Sequence, residues 1–112
     1  MGHRAYVIKP GSVDESTDAE FFNNRYYEIS TLFGNHDVNI EHKWFKYREE
    51  WIIKATELNA LIAKLEEAPD EIDECFSEDM HLAHPNRELA GMFKYWVNHA
   101  DKETGLIRVE WS

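Results

Sequence analysis

The sequence predicts an α+β fold that is mostly α, with one strand at each end and four helices between them. The two terminal strands are expected to pair antiparallel against a small helical bundle. Three observations predict it. Apolar residues recur at three- and four-residue spacing through the middle of the chain, they alternate near its two ends, and proline or glycine punctuates several of the joins. A length of 112 residues with 43% hydrophobic and 13% aromatic residues fits a single domain over 1–112 with a real core. A disordered chain lacks the apolar surface to offset its ordering entropy.

His3 to Lys9 reads as a strand, with Ala5 and Val7 on one face and Tyr6 and Ile8 on the other, ended by Pro10-Gly11. A polar loop leads to Thr17-Asp18-Ala19-Glu20, a capping-box pattern in which the Thr17 hydroxyl accepts from an early helix amide and Glu20 reaches back. The helix that follows runs to about Phe33, with Phe22, Tyr26, Ile29 and Phe33 on its apolar face and Gly34 as a left-handed stop.

Asn39 is placed to cap the longest helix, Ile40 to Glu67. Its stripe of Ile40, Trp44, Tyr47, Trp51, Ala55, Leu58, Ile62 and Leu65 has a mean spacing of about 3.6 residues, the α-helical period. Phe45, Ile52 and Leu61 widen the apolar face, so Trp44, Phe45, Tyr47 and Trp51 are expected in the core rather than on a binding platform. Such a helix is about 42 Å long at about 1.5 Å per residue, and must bend or project.

Ala68-Pro69 breaks the run, and Pro69 suits the first position of a third helix to about Met80, with Ile72, Cys75 and Phe76 inward. His81 to Pro85 is a connector. The fourth helix, from Pro85-Asn86 to about Ala100, buries Leu89, Met92, Phe93, Trp96, Val97 and Ala100. Asp101 to Gly105 is a turn. Leu106 to Trp111 is the final strand, with Ile107, Val109 and Trp111 on one face.

The formal net charge is −10, and eight of those ten charges lie between Leu65 and Asn86. Glu66, Glu67, Asp70, Glu71, Asp73, Glu74, Glu78 and Asp79 occur there, with no Lys or Arg between Lys64 and Arg87. A surface of this sign disfavours direct contact with nucleic acid or an anionic membrane and favours a basic protein partner. The expected function is that of a non-enzymatic protein-binding domain, an inhibitor or immunity-type protein that occludes a basic surface of a partner protein, with a nucleic-acid-binding surface as one candidate. Its partner-binding residues are Glu66, Asp70, Glu71, Asp73, Glu74, Glu78 and Asp79. At helical rise these carboxylates follow one another closely enough to imitate a nucleic-acid backbone, along a line bent by the break at Pro69. The bland alternative is a solvated acidic face.

No sequence motif names an activity, and no cofactor is expected. The serines lack a nucleophile elbow and the glycines are scattered. The alternative from another class is a small metal-binding protein or metal-dependent enzyme using Glu78, His81 and His84, a Glu-x-x-His pair followed by a third donor. A second alternative is a structural or oligomeric component. Cys75 is the one cysteine, among carboxylates that raise its thiol pKa, and it reads as a core residue. With no disulfide, no signal-peptide pattern in residues 1–9 and no membrane-length apolar run, the expected compartment is the cytoplasm.

Overall fold

Five of the six residues Glu49-Glu50-Trp51-Ile52-Ile53-Lys54 are buried or half-buried, and alternate residues point to opposite sides, which is strand behaviour. The computed structural model describes residues 4–8, 16–18, 22–76 and 82–112. Among these it places strands β1 (Ala5–Ile8) and β2 (Ser16–Asp18), helix α1 (Tyr26–Asn35), strands β3 (Ile40–Trp44) and β4 (Glu49–Lys54), helices α2 (Ala55–Glu67) and α3 (Pro85–Asn98), and strand β5 (Leu106–Trp111).

The strands form one sheet in the order β2-β1-β5-β4-β3, antiparallel throughout. The first and last strands meet in its interior, with Ala5 opposite Trp111 and Val7 opposite Val109. Arg4 N–H donates to Ser112 C=O at 2.7 Å and Ser112 N–H returns a bond to Arg4 C=O at 3.0 Å, extending that ladder. The mostly α architecture of four helices between two strands is therefore overturned: a five-stranded sheet and three helices take its place among the described residues.

The core lies between the sheet and the helices. Ala5, Val7, Trp51, Ile53, Ile107, Val109 and Trp111 alternate along their strands to one face. Leu32 and Phe33 of α1, Leu58, Leu61 and Leu65 of α2, and Leu89, Phe93 and Trp96 of α3 close over it as one cluster. Rings fix the fit: Phe33 lies 6.0 Å from Trp51 and 5.5 Å from Phe93 between centroids. The opposite face carries Glu41, Lys43, Lys54 and Arg108, with Glu50 buried among them.

Three expected elements change for physical reasons. The long helix exists only from Ala55 onward, because residues 40–54 form the β3–β4 hairpin. The capping-box residues Thr17 and Asp18 are in β2, and α1 begins at Tyr26. Gly34 lies inside α1, and the left-handed residue after the helix is Asp37 at φ 59°. An Asp tolerates that conformation through its short polar side chain. Gly105, at φ +70°, makes the turn into β5, where its N–H reaches Asp101 C=O at 2.7 Å.

Candidate functional site: an acidic connector and an aromatic hairpin

α2 ends in the acidic pair Glu66-Glu67, and the chain then runs through turns rather than a third helix over residues 68–76. The carboxylates explain this. Glu67 and Glu71, and Asp70 and Glu74, would repel at four-residue spacing with no base between them. Asp73 instead accepts the Cys75 N–H on Oδ1 at 3.1 Å, a local bond that competes with helix. The helical row of charge that would imitate nucleic acid is thus absent over 68–76, and Glu78 and Asp79 lie outside the described residues.

The connector is nevertheless held in place. The first-turn amides of α3 have no helical acceptors, and the connector supplies them. Asn86 N–H donates to Glu71 C=O at 3.1 Å and Arg87 N–H to Pro69 C=O at 3.0 Å. The Asn86 side-chain amide donates to Ala68 C=O at 2.9 Å. Asp73 Oδ2 pairs with His36 Nε2 at 2.9 Å, Asp70 bonds His84, and Glu66 pairs with Lys94 at 3.2 Å. Three of the expected partner-binding carboxylates are therefore already engaged within the chain. Glu67, Glu71 and Glu74 are exposed and have no ion pair among the described residues.

Burial works against ionising Asp73, but the His36 ring and the Cys75 amide outweigh it and lower its pKa from the ordinary Asp value. Replacing His36 with Ala should cost about 1.5–3 kcal/mol near neutral pH, the range of a hydrogen bond to a charged group. A carboxyl lowered on folding stabilises above its unfolded value of about 3.9 and loses that contribution as pH falls through its folded value. The stability gap between wild type and His36→Ala should close in acid, which chemical unfolding at stepped pH measures.

His84 precedes α3 and faces Asp70, while Glu78 and His81 lie outside the described residues. Among the described residues no group of three or more His, Cys, Asp or Glu side chains is arranged to hold a metal ion. Cys75 packs against the core, and its thiol is pushed up to about 12, first by burial and then by Asp73. Such a thiol is a poor nucleophile.

The second feature is one the helical reading placed in the core. Trp44 is 72% exposed and Tyr47 82% exposed, with Phe45 and Tyr27 also on the surface. Lys43, Lys46 and Arg48 alternate with these rings, and residues 43–48 contain no acid. The Arg48 guanidinium lies 4.6 Å from the Phe45 ring centroid, and Lys46 lies 5.4 Å from that of Tyr47. A shallow groove runs between Phe45, Tyr47 and Arg48 on one side and Glu110 and Ser112 on the other.

Beneath this hairpin sits Glu49, a carboxylate on the core face of β4 with only 4% of its surface exposed. Its acceptors are satisfied by the Tyr26 hydroxyl, by Trp51 Nε1–H at 2.9 Å and by His42 Nδ1 at 3.3 Å. Burial first, then the bond to Glu49, pushes Tyr26 up to about 12. This group joins α1, β3 and β4 at one point.

Comparison of the chain with protein-family models, with curated proteins and with solved structures finds no match. Among the described residues no helix is long and apolar enough to cross a membrane.

Proposed function

We propose that this chain is a non-enzymatic protein-binding domain of inhibitor or immunity type, whose acidic connector covers a basic surface on a partner protein. The observation that carries the reading is the connector's fixed presentation. Its backbone is tied to α3 through Asn86 and Arg87, while Glu67, Glu71 and Glu74 stay exposed. A surface held in one conformation before binding loses little entropy on docking, and concentrated charge speeds encounter and selects the sign of the partner. Glu66, Asp70 and Asp73 act here mainly by holding the connector, through Lys94, His84 and His36. Glu78 and Asp79 continue the acidic run in the sequence and lie outside the described residues.

The test is a triple variant, Glu67→Lys, Glu71→Lys and Glu74→Lys, used in affinity capture from the native host at low and high salt. These side chains are exposed, so folding should be retained. Wild type is expected to capture a basic protein at low salt and release it at high salt. The triple variant should bind that protein at least about tenfold more weakly, equivalent to about 1.4 kcal/mol. Equal capture by both forms would remove the reading.

A further inference from the structure

Among the described residues β3 is an edge strand, and Glu41 to Trp44 are all exposed. Which backbone groups lie on its open side follows from the hairpin. Phe45 N–H donates across the hairpin to Arg48 C=O at 2.9 Å, so Phe45 bonds inward. Alternation along an antiparallel ladder makes Lys43 and Glu41 inward-bonding too. The N–H and C=O groups of Ile40, His42 and Trp44 then point away from β4. Edges of this kind are usually protected by charged side chains such as lysine, by proline, by a bulge or by a covering segment, and the charges of β3 are Glu41 and Lys43, of opposite sign. β3 contains no proline, and its register runs without a bulge from Ile40 opposite Ile53 to Trp44 opposite Glu49.

We propose that β3 pairs antiparallel with the β3 of a second copy of this chain, about a twofold axis through His42, so that two five-stranded sheets become one. The sequence Ile40-Glu41-His42-Lys43-Trp44 is complementary to itself in that register. Ile40 faces the partner's Trp44, Glu41 faces the partner's Lys43, and the axis repeats both pairs, as a twofold interface requires. Cross-strand pairs of opposite charge and of apolar type are favourable, and like charges are not. Moving the axis to Glu41 would set Glu against Glu, and moving it to Lys43 would set Lys against Lys. The charge pattern thus selects both the occupant and the register.

Pairing would also cover the exposed Trp44 indole. The His42 ring stacks on it, with centroids 5.8 Å apart and planes 7° from parallel, which restrains the indole before docking and reduces the rotamer freedom lost. The acidic connector takes no part, so this pairing and the function proposed above stand or fall separately.

Sedimentation velocity over a wide range of concentrations tests the pairing. Wild type should show a reversible monomer–dimer equilibrium, weak because a short strand pair is a small interface. Glu41→Lys sets lysines against lysines across the axis, and Lys43→Glu sets glutamates against glutamates. Each variant alone should dimerise at least about tenfold more weakly, about 1.4 kcal/mol. Mixed together they restore opposite charge at both positions and should form a heterodimer. Lys43 lies opposite Glu50 in β4. If Lys43→Glu fails to fold by circular dichroism, amide exchange in the wild type decides instead. The N–H groups of Ile40, His42 and Trp44 should then exchange more slowly as concentration rises, with those of Glu41 and Lys43 protected throughout. A wild type that stays monomeric, a dimer indifferent to Glu41→Lys, or exchange at His42 and Trp44 independent of concentration would each overturn the pairing.

Discussion

Replacing Trp51 with alanine should cost about 3–5 kcal/mol of folding stability, whereas replacing Trp44 with alanine should change it by less than about 0.5 kcal/mol. Trp51 is completely buried, with ring centroids 4.9 Å from Trp111, 5.1 Å from Tyr26 and 6.0 Å from Phe33. Truncation leaves a cavity among aromatic rings that cannot easily collapse, and it removes the indole N–H that donates to Glu49. Trp44 packs chiefly on His42 and faces solvent. Since a domain of this size is stable by about 5–15 kcal/mol, the first change should bring Trp51→Ala close to unfolding at mild urea concentrations. Urea unfolding of both variants measures the contrast. It separates the hairpin from a helix, because a helix over residues 40–67 would place both tryptophans on one buried stripe, and both losses would then be large.

That stripe shows where the sequence was misleading. Ile40, Trp44, Tyr47 and Trp51 do fall at helical intervals, but the same residues admit a period of two on either side of a turn. Ile40, His42 and Trp44 share one face of β3, and Glu49, Trp51 and Ile53 share the facing positions of β4. The turn at Phe45–Arg48 contains no Gly, Asn, Asp or Pro, so nothing in it marks a hairpin. The available signal was the β-branched and aromatic run Trp51-Ile52-Ile53, which favours strand. Ala55 to Leu65 did read correctly as helix, since Leu58, Leu61, Ile62 and Leu65 are all buried in α2.

The ends of the chain were the most legible parts, because their patterns admit one period. In β5, Ile107, Val109 and Trp111 are buried and Arg108 is exposed, matching simple alternation. In α3, Pro85 sits in the first turn, and Leu89, Phe93 and Trp96 are buried at helical spacing. The charge of the connector was legible too, but not its shape. The bonds that shape it join residues far apart in sequence, His36 with Asp73 and Asp70 with His84, and no local pattern announces them.

Glu49 was the functional-looking residue that the helical reading hid entirely, and Glu49→Ala should cost about 3 kcal/mol or more. The change removes the carboxylate that accepts from the Tyr26 hydroxyl and leaves the buried Trp51 indole N–H without that acceptor, and a buried donor left unpaired costs about 1–3 kcal/mol. Glu49→Gln retains one oxygen acceptor and should lose less. Tyr26→Phe removes a donor and an acceptor together, so its effect should be about 1 kcal/mol and should not add to that of Glu49→Gln. A double-mutant cycle by chemical unfolding would read that coupling, and strict additivity would show the two groups to be independent. Alkaline pH provides a second measure. The Tyr26 hydroxyl is raised from 10.0 to about 12 by burial and by Glu49. A group raised on folding stabilises fully below its unfolded pKa and loses that contribution as pH climbs through its folded value. The advantage of wild type over Tyr26→Phe should therefore hold at neutral pH, begin to shrink near pH 10.0 and be gone by about 12. Phenolate absorbance on the same samples would show Tyr26 titrating late in wild type and less late after Glu49→Ala, which removes the carboxylate's share of the rise but not that of burial.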